Sequence, residues 1–100
     1  MRKKKIYIIG EIDHGNLSES SVKFVDAQKM LLKSGFEAIN PFDVLLFRKI
    51  SKEEFLRINL RILIDCEGVF VLPCACMDKR NIELKLALDL KMAVFHAVLM

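Results

Sequence analysis

The stretch from Cys66 to Ala87 limits what this chain can fold into more than any other. It reads CEGVFVLP, then CACMDKRN, then IELKLA: an apolar strand, an irregular turn, and an amphipathic helix with Glu83 in its first turn. A continuous apolar run opened by Gly68 and closed by Pro73 is the pattern of a strand buried on both faces. A strand that passes through a short connection into a helix is the repeating unit of open parallel α/β sheets, in which functional groups collect at the carboxyl ends of the strands.

The rest of the chain repeats this alternation. KIYIIG, residues Lys5 to Gly10, is a short β-rich run ended by glycine and predicts the first strand. The polar segment Glu11 to Ser20 follows, with Ser18, Ser20 or Ser21 placed to cap the next helix. From Ser21 to Ser34, Phe24, Ala27 and Leu31 recur at helical spacing, and Gly35 is a natural stop. Phe36 to Ile39 predicts a second strand, closed by Asn40-Pro41 because the residue before proline is pushed out of helical geometry. Phe42 to Ile50 is apolar for a connection and reads as a helical turn, a lid or an oligomer contact. Ser51 and Glu54 form an S-x-x-E capping box, which predicts a helix from Lys52 to about Ile64. Apolar residues wrap most of that helix, with Arg57 and Asn59 as polar exceptions. Gly68 to Leu72 is the third strand, Asn81 to Lys91 the following helix, and Ala93 to Val98 a fourth strand.

Continuous rather than alternating apolar strands, joined by helices, predict an α/β protein of the flavodoxin- or Rossmann-like kind: a three-layer sandwich around a four-stranded parallel sheet. Right-handed crossovers favour strand order 2-1-3-4, with a ligand crevice where the chain reverses direction between strands 1 and 3. At 100 residues and 53% apolar content the chain reads as one domain. The net charge of +3 is small, and the run Arg2 to Lys5 reads as a solubilising start rather than an arm for a nucleic-acid polymer. No apolar run approaches the roughly 18 residues that span a bilayer, and no signal-peptide pattern follows the basic start, so a cytoplasmic protein is expected. Three cysteines, an odd number, fit a reducing compartment. Cys74 and Cys76 make one close pair near Cys66, but a structural zinc site normally draws on two paired clusters, so no metal is expected and the thiols read as small apolar side chains.

Glu83 is the foremost candidate for chemistry. A carboxylate in the first turn of a helix is held ionised by free amides and the helix dipole, as a nucleophile requires, although acidic residues also occupy helix starts for stability alone. Asp78, on the turn before it, reads as a proton donor or a helix cap. The Tyr7 hydroxyl can reach a carboxylate or satisfy a buried backbone group. His14 lies in the first loop, where Gly10 and Gly15 bracket a segment that invites a phosphate but lacks the Lys-Ser/Thr ending of a P-loop and the GxGxxG spacing of a dinucleotide fold.

Taken together, KIYIIG, the INP after the second strand, DCEGVFVLP and IELKLALDLKMAVF resemble the nucleoside 2-deoxyribosyltransferase superfamily, and in particular its small single-domain members of unknown function. The resemblance spans nearly the whole chain through short motifs. It implies one domain over residues 1–100, no cofactor, and cleavage or transfer of the N-glycosidic bond of deoxynucleosides or their monophosphates. Glu83 then matches the family nucleophile and Tyr7 the residue that orients it. Asp78 supplies the proton if the turn is one residue shorter than usual; otherwise that position falls on Met77. A sugar-contacting aspartate falls on Asn59, which cannot ionise. Gly10, Asp13 and His14 are the first-loop candidates for the substrate site, with His14 as readily solvated as in touch with a ligand, and the acidity of Glu11 and Asp13 there would repel a 5′-phosphate. Lys79 and Arg80 stand where small residues are usual, either filling the sugar pocket or binding a phosphate. These departures leave a second reading beside the enzymatic one: a catalytically degenerate domain that binds a nucleotide-like ligand or acts as an interaction module. The apolar helix Lys52–Ile64 and the uncovered fourth strand predict a homodimer or higher homo-oligomer.

Overall fold

The computed structural model describes residues 3–10, 17–45, 50–73 and 82–96. In chain order the elements are β1 (Lys5–Ile9), α1 (Leu17–Lys33), β2 (Glu37–Ile39), α2 (Phe42–Leu45), α3 (Lys52–Ile64), β3 (Gly68–Val71), α4 (Ile82–Asp89) and β4 (Ala93–His96). The four strands form one parallel sheet in the order β2-β1-β3-β4, as expected. Tyr7, at the centre of β1, is in register with Ile39 of β2 on one side and Val69 of β3 on the other.

The period-2 geometry of β1 divides its side chains between two cores. Ile6 and Ile8 join Phe24, Ala27 and Leu31 of α1, together with Phe42, Phe70 and Leu72, on one face. Tyr7 and Ile9 face the other way and pack with Leu63 of α3, Ala87 of α4, Cys66, Val69 and Val71. Each large aliphatic or aromatic side chain among these, fully removed from water, is worth about 1.5–3 kcal/mol. The sheet is therefore fastened from both sides through β1 and β3.

Several local expectations are met and some are revised. Ser51 caps α3, its hydroxyl accepting from the Glu54 amide at 3.1 Å. Gly35 has a φ of 89°, and Phe36 N–H returns to the Leu31 carbonyl at 3.0 Å, the closure that ends a helix through a left-handed residue. After α4 the same closure joins Met92 N–H to the Ala87 carbonyl, but here Lys91 takes the left-handed conformation, with φ 56°, and α4 ends at Asp89 rather than Lys91. Helix α1 begins at Leu17, so Ser18, Ser20 and Ser21 lie inside it instead of capping it; the Ser21 hydroxyl donates to the Ser18 carbonyl at 2.8 Å. Of the three readings of the segment after Pro41, its first part is a helical turn, with Phe42 buried edge-on against Phe24 at 5.1 Å between ring centroids. Asn40 starts this turn: its Oδ1 accepts from the Phe42 amide and its Nδ2 donates to Gln28 Oε1. Among the described residues no helix is long and apolar enough to cross a membrane.

Gly10 ends β1 under tight packing. A Cβ there would lie 2.6 Å from Leu72 Cδ1 and 2.8 Å from Phe24 Cζ, both buried core atoms. Replacement Gly10→Ala is expected to lower stability by about 1–3 kcal/mol in urea unfolding. An unchanged midpoint would show that this face of the core yields freely.

Candidate active site

The parallel sheet sets where a site can form. Helix α4 begins near the carboxyl end of β3, so its first turn, and Glu83 with it, stands at that edge. Glu83 precedes Ala87 by four residues, one turn, and Ala87 is fully buried on the face that carries Tyr7. On α3, Phe55, Asn59 and Leu63 are the buried residues, spaced four apart along one stripe, and Leu63 packs in that same core. Asn59 thus stands one turn before the fully buried Leu63, as Glu83 stands one turn before Ala87. Tyr7 is fully buried and Asn59 is 3% exposed.

Tyr7 and Glu83 meet. Burial, above all, pushes the Tyr7 hydroxyl well above its ordinary value, and the neighbouring Glu83 carboxylate pushes it further. The Glu83 carboxyl is also raised above its ordinary value, again by burial first, while the Tyr7 hydroxyl works in the opposite direction. Burial thus works against the ionised form that the start of a helix favours, and it is the larger of the two causes acting on this carboxyl. The two groups are close enough to shift one another's titration without completing a regular hydrogen bond.

What distinguishes this layer is its unmet polar atoms. Tyr7 Oη, Asn59 Oδ1 and Glu83 Oε2 are buried and lack hydrogen-bond partners. Leaving one such group unpaired costs about 1–3 kcal/mol, so folded proteins keep very few without a reason. Three of them, supplied by β1, α3 and α4, set unpaired polar atoms into an otherwise apolar interior. They offer a carboxyl oxygen, a phenol that can donate, and an amide carbonyl that can accept.

The other predicted residues divide. Gly10 lies at the end of β1 but is accounted for by its packing against Leu72 and Phe24. Asp13, His14, Asp78, Lys79 and Arg80 lie outside the described residues, as do Cys74 and Cys76. Cys66 is buried, its thiol pushed up to about 11 chiefly by burial and donating to the Ile62 carbonyl at 3.3 Å, which fits an inert apolar thiol. Among the described residues no cluster of His, Cys, Asp and Glu is arranged to hold a metal ion. The buried position of Asn59 was open to sequence reasoning in the four-residue spacing Phe55, Asn59, Leu63, although the abundance of other apolar residues on that helix obscured it.

Fold and site together define a small doubly covered α/β domain of Rossmann-like type with a carboxyl–phenol pair at the carboxyl edge of its sheet. The profile of the domain of unknown function DUF4406 matches residues 4–96, and the chain belongs to that family. No curated protein matches the chain.

The raised carboxyl has a consequence for stability. The folded state keeps the Glu83 proton to a higher pH than the unfolded chain, so stability falls as pH rises from the ordinary 4.5 through the raised value. Glu83→Gln removes this dependence. In thermal melts the variant is expected to be more stable than the parent at neutral pH, with the difference closing below the ordinary carboxyl range. Equal melting temperatures at neutral pH would contradict the burial of the charge.

Proposed function

We propose that the protein hydrolyses or transfers the N-glycosidic bond of deoxynucleosides or their monophosphates, with Glu83 as the nucleophile. The observation that carries this reading is the meeting of Glu83 with Tyr7, both with buried, unpartnered oxygens, at the carboxyl edge of the sheet. These are the two positions that the resemblance to nucleoside 2-deoxyribosyltransferases implies for a nucleophile and its orienting tyrosine.

In this mechanism the ionised Glu83 carboxylate attacks C1′ as the bond to the base breaks, and the base leaves with the bonding electron pair and takes up a proton. The resemblance gives that proton to Asp78. The glycosyl ester on Glu83 is then cleaved at C1′ by water or by a second base, which restores the carboxylate. This is the two-step logic of retaining glycosidases. Tyr7 steers the attacking oxygen, and Asn59 Oδ1 accepts from a sugar hydroxyl. Because only the ionised form attacks, the rate rises with pH through the raised value of Glu83.

The upward shift of the Glu83 carboxyl, and an amide in place of a carboxylate at Asn59, favour a second reading, a domain that binds a nucleotide-like molecule without turning it over. The two are separated by incubating the protein with a panel of deoxynucleosides and their 5′-monophosphates, with and without an acceptor base, and following free base by chromatography. Release that falls on the order of 10³-fold or more in Glu83→Ala is expected. Release that persists in Glu83→Ala would sink the mechanism, and binding without release from any substrate would establish the second reading.

A further inference from the structure

The face of α3 turned away from the sheet is charged in a directional way. Glu54, Arg57, Ile58 and Arg61 follow at intervals of three, one and three residues, which places them on one stripe. Among the described residues these four line an open hollow of about 290 Å³. Glu54, Arg57 and Arg61 are exposed, and among the described residues none is held by an ion pair. Ile64, one turn further along, is 56% exposed.

This stripe is complementary to itself when reversed. We propose that α3 is the contact between two copies of the chain, packed antiparallel about a two-fold axis that passes between Arg57 and Ile58. In that arrangement Glu54 of each copy faces Arg61 of the other, and the aliphatic stem of each Arg57 covers the Ile58 of the second copy. Antiparallel helices also oppose their dipoles, and a two-fold contact uses the same patch twice, as an isologous interface must. A small anion fits the stripe less well, because Glu54 lies in the same hollow as the two guanidinium groups and repels it. A stripe of mixed sign is best met by another stripe of mixed sign.

Charge exchange tests the pairing and its direction. In sedimentation velocity over a concentration series at low ionic strength, the parent protein is expected to dimerise, more weakly as salt rises. Glu54→Arg and Arg61→Glu are each expected to weaken the dimer by at least roughly tenfold, since each places like charges opposite one another twice. Mixed together, the two variants should form a heterodimer in which both pairs attract, and the double variant Glu54→Arg/Arg61→Glu should recover self-association. Both positions are exposed, and the Ser51 cap engages only the Glu54 backbone, so helix content by circular dichroism should be unchanged. A parent protein that stays monomeric throughout, single variants that dimerise as well as the parent, or single variants that do not associate when mixed would each overturn the proposal. So would loss of self-association on adding phosphate at constant ionic strength, which would show that the two arginines serve an anion.

Discussion

A phenol buried at the centre of the sheet is the constraint around which the rest of this molecule is arranged. Tyr7 stands in the middle of β1, fully removed from solvent, between the backbones of β2 and β3. Its ring supplies apolar area to the core shared with α3 and α4, while its hydroxyl needs a polar neighbour. That neighbour is Glu83, brought over the sheet by the first turn of α4. The contact joins the two strongest parts of the chain, the central strand and the strand–turn–helix of residues 66–87, and leaves a carboxyl and a hydroxyl without full partners inside a packed layer. Burial and polarity conflict at this point, a conflict common where buried polar groups serve a functional site.

Asn59 extends the same conflict to a third element. Replacing it by an apolar residue would complete the stripe of Phe55 and Leu63 and remove an unpaired buried carbonyl. Its presence is accounted for if something enters the layer and donates to it. Under the proposed function, the hydroxyl groups of a sugar would answer that need.

Much of the fold was legible in the sequence because the period of the apolar pattern changes sharply along the chain. KIYII and GVFV are short, continuous and bounded by glycine, proline or charge, whereas Phe24, Ala27 and Leu31 keep a helical spacing, and these contrasts are what a parallel sheet with helices on both faces requires. Boundaries were less legible. Nothing local marks Lys91 as the residue that adopts a left-handed conformation; the return of Met92 to the Ala87 carbonyl imposes it. Glycine bracketing after β1 suggested a phosphate loop, yet Gly10 is required by Leu72 and Phe24, partners distant in sequence or set by the helix crossing. For the site, residue identity was readable and environment was not. Position in the first turn of a helix argues for a carboxyl held low, whereas the upward shift comes from how deeply α4 sets that side chain against β1, a tertiary quantity absent from any local pattern.

The most direct test of this account is a pH titration of the Glu83 side-chain carboxyl by carbon-13 NMR, in the parent protein and in Tyr7→Phe. Burial beside a phenol predicts a midpoint above the ordinary 4.5 in the parent and a higher one in Tyr7→Phe, since the hydroxyl that favours the charged form is then lost. A Glu83 that titrates at or below the ordinary value, unmoved by the loss of the Tyr7 hydroxyl, would contradict it.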